Sequence, residues 1–144
     1  MDWIDKYVEG IIDYCNTKDV FEICEVLSIY ISVINEDSFI LKGNDAIYIR
    51  DYFDNEIIFI KEDLHYKYKK YLIAHELGHA ILHVELETTA YNKGLIIKGK
   101  LERQADYFAI RLLDIELDCI SLVGLDKEQL ARELCIKERA LEYV

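Results

Sequence analysis

His75-Glu76-Leu77-Gly78-His79 spells H-E-x-x-H. On an α-helix, residues four apart share one face about one turn apart, so both imidazoles can reach a single ion. Glu76, next to the first of them, is then placed to act on a water at that ion. Two imidazoles and an adjacent carboxylate are the equipment of zinc-dependent peptide hydrolysis. A core helix could carry two histidines merely for packing, but it has no need of a glutamate beside them. The helical context is present. Tyr68, Tyr71, Leu72, His75, His79 and Leu82 recur at steps of three and four, which makes one buried face. Asp63 is a candidate N-cap ahead of them.

A catalytic zinc site takes three protein ligands and keeps one position open. His83 continues the spacing of four, but it lies roughly 12 Å along the axis from His75 and roughly 80° around it. Bonds of about 2 Å cannot gather all three rings on one ion. His83 therefore reads as a helix-end residue or as a support for the ligands. Glu85 stands six residues after His79, where metzincins place a third histidine. The glycine that turns the chain in such sites is here Leu82, which rules Glu85 out. Glu102 and Asp106 are left. They are four apart within Leu101–Ala109, so one helix face can offer a ligand and a supporting carboxylate together. Asp106 falls among Ala105, Phe108 and Ala109, where an unpaired acid is costly to bury. The second N–H of a ligating imidazole would satisfy it. Gly78 costs about 1 kcal/mol relative to alanine inside a helix, which suggests either that a sheet strand passes close to it or that it serves a plain packing role.

The elements that must position these residues follow from periodicity. Residues 2–15 and 19–28 have helical spacing. Ile29–Ile34 is β-branched and aromatic and predicts a strand. Phe39–Leu41 predicts a short returning strand, and Ala46–Ile49 with Ile57–Ile60 predicts a hairpin around Asp54-Asn55. The motif helix covers about 64–84. Residues 85–100 lose periodicity and predict a loop, with a short strand at Leu95–Ile97. A helix resumes near Leu101 and runs to about Leu113, and short helices follow from 116 to 144 with a break at Gly124. The fold class is α+β: a small antiparallel sheet against the motif helix, with further helices at both ends. At 144 residues the chain is one domain, divided into N-terminal helices (1–28), sheet (29–62), two ligand-bearing helices with their loop (64–113) and C-terminal helices (116–144).

Composition narrows the partners. A net charge of −11 disfavours a nucleic-acid surface. Leu125–Ile136 has a faint helix-turn-helix look, but its charges nearly cancel and it lacks an arginine cluster, so a recognition or capping role is the better expectation. No apolar run approaches the ~20 residues that span a bilayer. Met1-Asp2-Trp3 opens neither a basic segment nor an apolar one, and Cys15, Cys24, Cys119 and Cys135 show no C-x-x-C spacing. Reduced thiols in a cytoplasmic protein are expected. The N/N/O donor set suits one zinc ion best.

Ala74-His75-Glu76-Leu77-Gly78-His79-Ala80-Ile81-Leu82-His83, followed by Glu102-x-x-Ala105-Asp106-x-Phe108-Ala109, resembles the ImmA/IrrE metallopeptidase family. Its pattern is roughly A-H-E-L-G-H-x-x-x-H and then E-x-E-A-N-x-F-A. Gln104 replaces the second glutamate. Asp106 stands where asparagine is usual, restoring the E-x-x-x-D spacing of thermolysin-like gluzincins. The resemblance implies a zincin-like fold and zinc held by His75, His79 and Glu102, with Asp106 behind the ligands. It also implies a protein substrate, namely a helix-turn-helix repressor of a phage or mobile element. Tyr91, in the loop between the ligand segments, lies where gluzincins can supply an oxyanion-stabilising tyrosine. Two other readings use the same zinc site: a catalytically silent anti-repressor that binds its target, and a toxin or stress regulator.

Overall fold

Strand β3 (Asn55–Lys61) is the centre of a three-stranded sheet, and Ile58, Phe59 and Ile60 are buried in it. A computed structural model describes residues 1–84, 95–117 and 122–144 of the chain. β2 (Ala46–Tyr52) pairs antiparallel with β3 as the expected hairpin, Ala46 opposite Ile60 and Ile49 opposite Ile57. β1 (Ile29–Ile34) pairs with the other side of β3 in parallel, Ile29 opposite Glu56 and Ile34 opposite Lys61. The α+β class holds, but the sheet is mixed rather than antiparallel throughout. The predicted returning strand explains the difference. Phe39–Leu41 is a single 3-10 turn, started by the Ser38 hydroxyl accepting from the Ile40 N–H. Leu41 is fully buried while Phe39 is 88% exposed, so this segment is pinned at one point and carries the chain across to the far edge.

Helices α1 (Asp2–Cys15) and α2 (Val20–Val26) form where the spacing places them. Asp19 caps α2 by accepting from the N–H groups of Phe21 and Glu22. The motif helix α3 runs Tyr66–Leu82. Its N-cap is His65, which accepts from the Lys67 N–H, and not Asp63, whose φ of 62° puts it in a left-handed turn upstream. α3 does more than bury one face. Every residue from Tyr71 to Ala80 is buried, because the sheet and helix α4 (Leu95–Leu113) enclose it. Helix α4 starts six residues before Leu101, so Leu95–Ile97 belong to it and form no strand.

The C-terminal end of α3 is tied to the sheet by Arg50 of β2. Its guanidinium donates to the carbonyls of Val84 (2.8 Å) and Ala80 (3.1 Å). At the other side of the domain, Asp5 of α1 accepts from Tyr107 (3.0 Å) and Arg111 (2.9 Å) of α4. The chain ends in α5 (Lys127–Leu134), which opens on a capping box of Asp126 and Gln129, and a 3-10 helix at Glu138–Tyr143.

Gly78 is where α3 and α4 touch. A Cβ there would stand 3.2 Å from the Ala105 Cα and 3.2 Å from the Phe108 Cδ1. The close neighbour is therefore the second ligand-bearing helix, and no strand fills that role. Gly78→Val should lower stability by about 1–3 kcal/mol, as overpacking does. Urea unfolding of the variant beside the parent checks this, and equal midpoints would mean that α4 can retreat freely.

Candidate active site

The tight α3–α4 contact sets the histidines of one helix against the acids of the other. His75 Nε2 and His79 Nε2 are 3.2 Å apart. Glu102 reaches over from α4, with one oxygen 3.0 Å from His79 Nε2 and the other 3.3 Å from His75 Nε2. Donor atoms bonded tetrahedrally at about 2.0–2.1 Å stand roughly 3.3 Å from one another, so these three fit one divalent ion. Among the described residues His75, His79 and Glu102 form a group able to hold a metal. The chemistry agrees with the distances. Two imidazole lone pairs and a carboxylate aimed at one point repel unless a cation or a proton lies among them.

Polar contacts surround this triad. Asp106 is completely buried and accepts from the Tyr71 hydroxyl (2.7 Å) and from Arg139 Nε (2.5 Å). His75 Nδ1 lies 2.8 Å from Asp106 Oδ1. That approach is angled off the ring N–H axis, so it is a charge contact more than an aligned hydrogen bond. Arg139 also donates to Glu102 (2.8 Å) through Nη2. Glu76 is buried, and its Oε2 accepts from the backbone N–H of Tyr48 at 2.9 Å. β2 is an edge of the sheet, and this N–H serves Glu76 where an interior strand's would serve a neighbour. His83 closes α3 by donating its backbone N–H to His79 O, while its ring lies between His79 and Gln104. The helix-end position expected for it is the one it occupies.

The electrostatics follow from this crowding. Burial acts against a charge on His75, but the carboxylates of Asp106 and Glu102 outweigh it and lift the ring to about 9. Burial acts to raise Glu102, yet the two imidazoles hold it well below the usual carboxylate range. Burial likewise acts to raise Asp106, and His75, Arg139 and Tyr71 reverse the sign. Burial drives His83 down to about 4, so its ring is neutral at ordinary pH. His75 is raised above its ordinary 6.5, so its proton stabilises the metal-free fold fully below 6.5. That contribution is lost as pH rises through about 9. Metal capture has the opposite dependence, because the ion must displace that proton. Apparent zinc affinity should therefore rise about tenfold per pH unit over the range where His75 holds the proton. Titration against a chelating dye from mildly acidic to mildly alkaline pH measures this, and a flat profile would reject proton competition.

The structure brings together His75, Glu76, His79, Glu102 and Asp106. Tyr91 lies outside the described residues. Arg139 has no local sequence signal. It is one arginine in a charged tail, and only the packing of the final 3-10 helix on α4 shows where it goes. The Tyr48 N–H was equally hidden, since every residue but proline has one. Tyr71 was legible only as part of the buried face.

Fold and site together define a metallopeptidase. Residues 24–144 match the family described as the IrrE N-terminal-like domain. The chain is also 32% identical to the metallopeptidase ImmA of Bacillus subtilis (strain 168) over 149 residues, covering 97% of this chain and 82% of that protein. It belongs to the ImmA/IrrE family of metallopeptidases, hydrolases that act on protein substrates.

Proposed function

We propose that this chain is a zinc-dependent endopeptidase that cleaves a helix-turn-helix repressor of a phage or mobile element. His75, His79 and Glu102 would hold one zinc ion, and Asp106 would orient His75. A bound divalent ion supplies the Lewis acidity that polarises the scissile carbonyl and acidifies water. Glu76 takes a proton from the attacking water as its oxygen bonds to the carbonyl carbon. It then delivers that proton to the amide nitrogen as the C–N bond breaks. The observation that carries this reading is the placement of Glu76. It adjoins the triad and is aimed by the Tyr48 N–H of an edge strand. The substrate would lie extended along that edge, in the manner of β-strand addition. Tyr91 is the proposed oxyanion donor.

The regulatory target rests on the resemblance carried by the two motifs. Incubation with the product of a neighbouring repressor gene, with and without chelator, tests it by mass spectrometry of fragments. Defined fragments that vanish with chelator support cleavage. One bound zinc per chain with an intact repressor would favour the silent anti-repressor instead. Cleavage of other proteins while the repressor survives would favour a toxin or stress regulator. The position of Glu76 speaks against the silent reading, because a pure binder gains nothing from a buried base. No described helix is long and apolar enough to cross a membrane.

A further inference from the structure

Among the described residues, the reaction leaves one buried imidazole beside the site without a role. His83 is 5% exposed, and its ring makes one contact at each nitrogen. Nδ1 lies 2.9 Å from His79 Nδ1, and Nε2 lies 3.0 Å from Gln104 Oε1. Gln104 comes from α4, between Glu102 and Asp106. The contacts form a chain from Gln104 through His83 to His79, and the metal end fixes its direction.

A ligating imidazole must offer a lone pair at the metal, so a neutral His79 bound through Nε2 carries its proton on Nδ1. That proton points at His83 Nδ1, which must accept it. A neutral ring accepting at Nδ1 carries its own proton on Nε2. His83 Nε2 therefore donates, and Gln104 must present oxygen, as it does. Reversal of any member breaks the sequence. An amide N–H turned toward His83 would make it donate from Nδ1, and His79 would then hold its proton on Nε2, where the metal belongs.

We propose that Gln104 and His83 are positioning residues that hold His79 in the tautomer whose Nε2 lone pair faces the metal. They would act on His79 through neutral groups, on the ring nitrogen away from the metal, where His75 instead faces the Asp106 carboxylate. This rests on the reading of His75, His79 and Glu102 as the metal site.

The test separates loss of the acceptor from loss of packing. Gln104→Met keeps the length of the side chain and removes the oxygen. Gln104→Glu keeps an oxygen acceptor. Zinc affinity by competition with a chelating dye should fall about tenfold or more in Gln104→Met and stay within about threefold of the parent in Gln104→Glu. Long-range nitrogen–proton NMR of the zinc-loaded parent should show His79 protonated at Nδ1 and His83 at Nε2. Either His83 protonated at Nδ1 or a Gln104→Met affinity within about twofold of the parent overturns the proposal. Glu102→Ala is the control. If it too leaves zinc affinity unchanged, the metal-site reading fails. If it weakens binding while Gln104→Met does not, the relay alone fails.

Discussion

Glu76→Gln should keep its zinc and lose cleavage by about 10²–10⁴-fold, the contribution of one positioned general base. The side chains differ by one atom, and the amide oxygen can still accept from the Tyr48 N–H. The fold and the triad are therefore expected to persist. Only proton acceptance is lost, since a neutral amide cannot take a proton from water. The measurements are zinc content, thermal midpoint and rate of repressor cleavage on one preparation. Unchanged zinc and midpoint with an unchanged rate would refute the general-base role. Loss of zinc would instead show that Glu76 helps to hold the ion.

Asp106→Ala should destabilise the metal-free protein by about 3–5 kcal/mol, the range for breaking a buried ionic cluster by removing one partner. Asp106 is fully buried and accepts from Tyr71 and Arg139 while standing against His75. Its removal leaves the buried Tyr71 hydroxyl short of its acceptor, takes the facing charge from His75, and frees half of the arginine that holds Glu102. Zinc affinity should fall by about 10–100-fold as well, because supporting contacts orient ligands. Asp106→Asn restores one acceptor and should recover part of the stability, with less recovery of affinity. Urea unfolding of the chelated proteins gives the first quantity and dye competition the second. A loss of under about 1 kcal/mol would mean that Tyr71 and Arg139 find water instead.

Much of the fold was legible because its signals are local. α1, α2, β1 and the β2–β3 hairpin follow from the spacing of apolar residues within single segments. The failures are where local sequence competes with distant contacts. Phe39–Leu41 has strand-like residues, but a Ser38 cap and one buried leucine make it a turn. Asp63 is a good capping residue in a left-handed conformation that cannot cap, so His65 does so two residues later. The parallel pairing of β1 with β3 skips over β2, and nothing within either strand encodes that order. Gly78 was recognisable as costly in a helix, but the helix that comes to meet it was not.

What the chain determines by itself is the donor set within each helix. His75, Glu76 and His79 share a face through the covalent geometry of the α-helix, and Glu102 and Asp106 share another by the same rule. That register holds in any fold that keeps the helices. Tertiary structure decided that the two faces meet, with Gly78 letting α4 close to contact distance. It also brought the Tyr48 N–H to Glu76 and Arg139 to both acids. These contacts join residues 28, 33 and 37 positions apart, so they arise from packing the whole domain and leave no periodic trace in the sequence.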